Sequence, residues 1–168
     1  MDAATKAWLD QEDARIKQVI REHGWAITYV GGECSRPGCD HPPGEGPPFA
    51  YTVGLFGLGH PELLVFGVPP ELAYELLNHL GEKVREGSEL MPGVEISFDQ
   101  WHHRIVPEEV PNPGDIVFDA NRFYQRPDEH SVPVLQLTYD DGTGRYPWNE
   151  GYPVPEMQPR PGTFTAWT

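Results

Sequence analysis

The sequence has little cysteine, few basic side chains and no long apolar run, and each shortage excludes something. With only Cys34 and Cys39, no disulfide framework is expected. A chain of 168 residues also needs none, since it buries roughly 70% of the surface its unfolded form exposes. Twelve Lys and Arg stand against 26 Asp and Glu, a net charge of −14. That balance argues against a nucleic-acid partner or an anionic membrane, both of which need clustered cations. No apolar run approaches the length of a membrane span. Residues 1–20 carry charges throughout and lack the apolar core of a signal peptide, so a cytoplasmic location is expected. The G-x-S-x-G, G-x-G-x-x-G, G-x-x-x-x-G-K-[ST] and H-E-x-x-H signatures are missing too, which weakens an enzymatic reading without excluding it.

What is present reads as clustered strands between helices. Leu9, Ile16, Val19 and Ile20 share one helical stripe that Gly24 terminates. "WAITYV" (residues 25–30) is β-branched and aromatic, as a strand should be. Residues 31–48 are so rich in glycine and proline that they must be a loop. In "FAYTVGL" (49–55), Phe49, Tyr51, Val53 and Leu55 alternate with Ala50, Thr52 and Gly54, and the small second face suggests close approach of a helix, another backbone or a ligand. "ELLVFGV" (62–68) is nearly all apolar and reads as a strand buried on both faces. The short link "FGLGHP" makes these two strands antiparallel neighbours in the middle of the sheet.

Pro69 and Pro70 open the clearest helix, in which Leu72, Leu76, Leu80 and Val84 repeat until Gly87. Strands are expected at "VEISF" (94–98), "HHRIV" (102–106) and "VPVLQLTY" (132–139), with a short helix over 115–125. The Pro-rich tail, 144–168, wraps the body. The order predicts one α+β domain over residues 1–168, with a mostly antiparallel sheet of about five or six strands, two main helices and an irregular C-terminal tail.

Three blocks, "FAYTVGL", "GHPELLVFGVPPELAYELLN" and "LQLTYDDGTGRYPWNEGY", together resemble a bacterial family, domain of unknown function family 4262. "HGWAITYV" stands where that family has a helix followed by a "GW" strand, and the resemblance covers about residues 10–155. It implies a small soluble bacterial domain and supplies no reaction or catalytic residues. The Cys-bearing loop at 31–48 departs from the family pattern.

Four groups of residues carry candidate chemistry. Cys34, Cys39 and His41 in "CSRPGCDH" suit zinc, but a tetrahedral site needs a fourth ligand, for which Glu33, Asp40 and His60 are the candidates. No second ligand pair accompanies them, so free thiols are favoured and less than one equivalent of zinc is expected. His60 beside Glu62 is a candidate general base with an orienting carboxylate, or else a turn histidine bonding backbone groups. His102 and His103 are adjacent on an expected strand, point to opposite faces and cannot chelate together. Arg145, Tyr146, Trp148 and Tyr152 place a cation among aromatics, able to clamp a ligand or to lock the tail onto the sheet with Trp148 as its buried anchor.

The sequence therefore favours a binding module for a small molecule or a protein, acting through a face around Tyr51, Thr52, Arg145 and Trp148. A small hydrolase using His60 with Glu62, or a loop-bound zinc, is the alternative, and a structural partner of another chain is a third.

Overall fold

The computed structural model describes residues 2–31 and 46–166. Helix α1 (Ala3–His23) begins where Asp2 accepts the Thr5 N–H at 2.7 Å and ends at Gly24, whose φ of 101° gives the left-handed stop. Strands β1 (Ala26–Val30), β2 (Phe49–Val53) and β3 (Glu62–Phe66) follow, then helix α2 (Pro70–Arg85). Strand β4 (Ile105–Glu109), the short helix α3 (Phe118–Phe123) and strand β5 (Val134–Tyr139) complete the body.

The five strands form one sheet in the order β1-β2-β3-β5-β4. Every neighbouring pair is antiparallel except β3 with β5. The architecture is thus the expected α+β domain, with β2 and β3 adjacent and antiparallel, Phe49 opposite Phe66. Helices cover both faces. Ala50, Leu63, Val65 and Leu137 pack under Leu76, Leu77 and Leu80 of α2, while Phe49, Tyr51, Leu64 and Phe66 pack with Ile16 of α1 and Ala120 of α3. This explains the two sequence patterns: β3 is apolar on both sides because both are covered, and β2 is small on one side because α2 lies close there. At the end of β2, a Cβ on Gly54 would stand 2.8 Å from the Gly24 carbonyl oxygen and from the Trp25 Cα, and its φ is 134°. No other residue fits that position.

Two expected strands change. Val94–Phe98 is not a strand: a lone antiparallel bridge joins Ile96 to Ile105, and the other residues of the segment belong to no ladder. The alternation there reflects a surface segment with Ile96 and Phe98 turned inward and Val94 57% exposed. The strand expected at 102–106 starts only at Ile105: the Arg104 carbonyl still accepts the Asp140 N–H at 3.1 Å, but its own N–H goes to the Asp140 carboxylate at 3.0 Å, and His103 Nδ1 bonds the Asp140 carbonyl at 2.8 Å. The link between β2 and β3 is a 3-10 turn, Leu55–Leu58, rather than a simple hairpin loop.

The tail does wrap the body, but through other anchors than Trp148. Gln158, 1% exposed, accepts the Tyr139 N–H at 3.0 Å and donates to the Tyr139 carbonyl at 2.8 Å, so a side-chain amide extends the sheet by one rung. Arg160 forms a bidentate pair with Glu108 at 2.9 and 2.6 Å, and Phe164 packs edge-on against Phe49 and Phe66. Trp148 is 45% exposed, stacked on Tyr146 at 4.6 Å between ring centres. It is not the buried anchor expected. Tyr146 is the buried member of that pair, with its hydroxyl donating to Glu95 at 2.8 Å.

Candidate functional site

Between β2 and β3, the sequence's candidate His60–Glu62 pair is present but divided. Glu62 opens β3, is fully buried, and accepts four hydrogen bonds. The Thr52 hydroxyl donates at 2.7 Å, and the N–H groups of Gly54, Leu55 and Phe56 donate at 2.9, 3.0 and 3.2 Å. These amides open the 3-10 turn, and such groups have no partner within their own helix. The carboxylate therefore caps the turn from inside the fold. Burial pushes its pKa from 4.5 up to about 7, while the four donors pull against that rise. Tyr124, donated to by the Gly57 N–H at 3.0 Å, is raised to about 12 by burial first and by the Glu62 charge second.

His60 is 4% exposed and makes no hydrogen bond to Glu62. Its Nε2 accepts the Leu90 N–H at 3.0 Å, which leaves Nδ1 to carry the proton and donate to the Pro61 carbonyl at 2.8 Å. Both ring nitrogens are spent on backbone. The histidine thus fastens residue 90 to the β2–β3 turn.

The other sequence candidates are scattered. Thr52 belongs to the Glu62 cage, whereas Tyr51 points to the opposite face and accepts the Asp119 N–H at 3.0 Å. Arg145 Nε is paired with Asp141 at 3.1 Å, closing the "DDGTG" loop. In that loop the Thr143 hydroxyl, foremost, holds the Asp141 carboxyl down to about 2. Trp148 lies under the Arg160 guanidinium, 4.9 Å from its ring centre. It borders a shallow, open depression lined by Arg160, Glu108 and Glu109, the first two of which are paired with one another. No hydrogen bond or ring contact links Tyr51 or Thr52 to Arg145 or Trp148 among the described residues. Cys34, Cys39 and His41 lie outside the described residues. Among those described, no three His, Cys, Asp or Glu residues gather as a metal site.

One deeper feature was not singled out by motif. The segment from Ser88 to Trp101 leaves the end of α2, is held at Leu90 by His60, and runs back along the helix. Between them lies a groove of about 740 Å³. Leu72, Leu76 and Leu80 of α2 form one wall, and Leu90, Ile96 and Phe98 face them. An aromatic row continues from the groove to the sheet: His79 to Phe98 at 5.7 Å, Phe98 to Trp101 at 5.7 Å, and Trp101 to Tyr139 at 6.1 Å. Glu75, Lys83, Glu89 and Asp99 supply charge at the groove, and Ser97 and Gln100 supply neutral polar groups. Apolar walls with a few polar groups are the usual make-up of a ligand site, and the volume is within the usual range.

Residues 19–153 match the sequence model of the family described as Domain of unknown function (DUF4262). The chain belongs to this family. No curated protein and no solved structure matches the sequence. The DUF4262 match takes in the whole groove, the Glu62 cage and the His60 fastening, whereas Gln158, Arg160 and Phe164 fall beyond it. No helix among the described residues of this DUF4262 chain is long and apolar enough to cross a membrane.

Proposed function

We propose that the chain is a small-molecule-binding module whose site is the groove between α2 and residues 88–101. The observation that carries this reading is the groove itself: about 740 Å³, with leucines of α2 on one side, Leu90, Ile96 and Phe98 on the other, and Trp101 also lining it. Flat apolar rings partly open to solvent gain free energy when a ligand covers them. His60 and Glu62 serve the frame in this reading, because each is saturated by backbone and hydroxyl partners. A general base needs a free lone pair within reach of its proton, and His60 has none left. No metal is required, and less than one equivalent of zinc is expected in the purified protein.

Tryptophol, a neutral indole alcohol, is a suitable probe because an indole can stack on Phe98 and Trp101. Calorimetry should show saturable binding to the wild type. Ser97 is exposed and lines the groove, so Ser97→Trp should fill the space without disturbing the core and weaken that binding at least about tenfold. Equal binding by the two proteins would place the site elsewhere.

A further inference from the structure

We infer that the groove selects organic cations with a flat apolar body; this rests on the groove being the binding site proposed above. Its carboxylates outnumber its ammonium groups. Glu75, Glu89 and Asp99 line it against Lys83 alone, with the His79 ring turned edge-on to Phe98. None of the three carboxylates has an ion pair or hydrogen bond among the described residues. The arginines nearest to them in the chain are engaged elsewhere, Arg85 of α2 with Glu82 and Arg104 with Glu95. A cleft with apolar walls concentrates the field of the charges at its rim, so the surplus acts on whatever enters.

The aromatic lining adds to the same preference. The π-faces of Phe98 and Trp101 carry negative charge density, and an ammonium group held against a ring is attracted at short range. The two features act together on one molecule: the rings take the flat body, and its ammonium group lies between the ring faces and the rim carboxylates. An anionic ligand with the same body meets repulsion at the rim. The net charge of −14 extends the effect to encounter, favouring approach of cations from solution.

Three indoles of matched size test this: tryptamine (cation), tryptophol (neutral) and indole-3-propionate (anion). At low salt, tryptamine should bind at least about threefold tighter than tryptophol and the propionate at least about threefold weaker, the scale of one exposed charge pair each way. The spread should shrink as salt is raised from about 0.01 M to about 0.5 M. It should also collapse in the triple variant Glu75→Gln, Glu89→Gln, Asp99→Asn, which keeps shape and removes charge. If tryptamine and tryptophol bind alike and Ser97→Trp still blocks both, the cation preference is wrong and the groove reading stands. Failure of all three probes to bind overturns both. Capture of a basic peptide without tryptamine binding overturns the choice of a small organic cation.

Discussion

At the scale of single residues, Glu62 shows how an internal charge is held by its surroundings. Four donors converge on it, yet the removal of water outweighs them and leaves its pKa near 7. Because that value lies above the usual 4.5, the folded chain binds this proton more tightly than the unfolded one. Its contribution to stability is therefore full below about pH 4.5 and lost as the pH rises through about 7, about 3 kcal/mol in all. Urea unfolding from pH 4 to 8 should show the wild type losing stability relative to Glu62→Gln across that window. A gap that widens the other way would mean that the four donors dominate. Trp148 makes the opposite case, a large side chain with a small effect. At 45% exposure, its removal in Trp148→Ala should cost under about 1 kcal/mol, whereas Tyr146→Ala should cost about 2–4 kcal/mol. Urea midpoints separate the two, and a larger loss for Trp148 would restore it as the anchor. The sequence ranks Trp148 first by size, but packing decides which ring lies beneath, and it is Tyr146.

Among the elements, α2 is fixed by a contact that its own propensity opposes. Gly81 sits mid-helix, where alanine would ordinarily stabilise by about 1 kcal/mol. A Cβ there would lie 2.7 Å from the Trp25 ring, which is held in place by its N–H bond to Asn78 at 3.0 Å and by Arg85 stacked 4.4 Å from its centre. Gly81→Ala should therefore destabilise, by about 1–3 kcal/mol in thermal or urea melts, and a rise in stability would show that Trp25 yields freely. The β2–β3 pair was legible in the sequence because its pattern is periodic and its connection short. Leu76 and Leu80 likewise announced the buried stripe of α2. The strand expected at Val94–Phe98 failed because alternation records which side chains turn inward, and not what they turn toward; here the neighbour is α2, with one bridge to β4. The role of Gln158 was hidden for a related reason, since its partners are backbone groups of β5 that no local pattern reveals.

For the whole molecule, the central claim is that a sheet covered on both faces carries one functional cleft along an edge of α2. Its parts are far apart in the sequence: the β2–β3 turn lends His60 to Leu90, α2 provides a wall, and residues 88–101 close the other side. That is why the cleft was not legible beforehand, while His60 could be noticed either as a base or as a turn histidine, and both of its ring nitrogens bond backbone groups. The scaffold explains the division of labour, with buried polar groups spent on holding loops and, at the rim, carboxylates that have no ion pair among the described residues. The most direct test is to map backbone amide shifts by nuclear magnetic resonance while tryptophol is added. The account predicts that the shifted amides concentrate in residues 72–83 and 88–101, with the strands little changed. Shifts centred instead on the Arg145–Trp148 segment or on the Glu62 cage, or spread evenly over the surface, would contradict it.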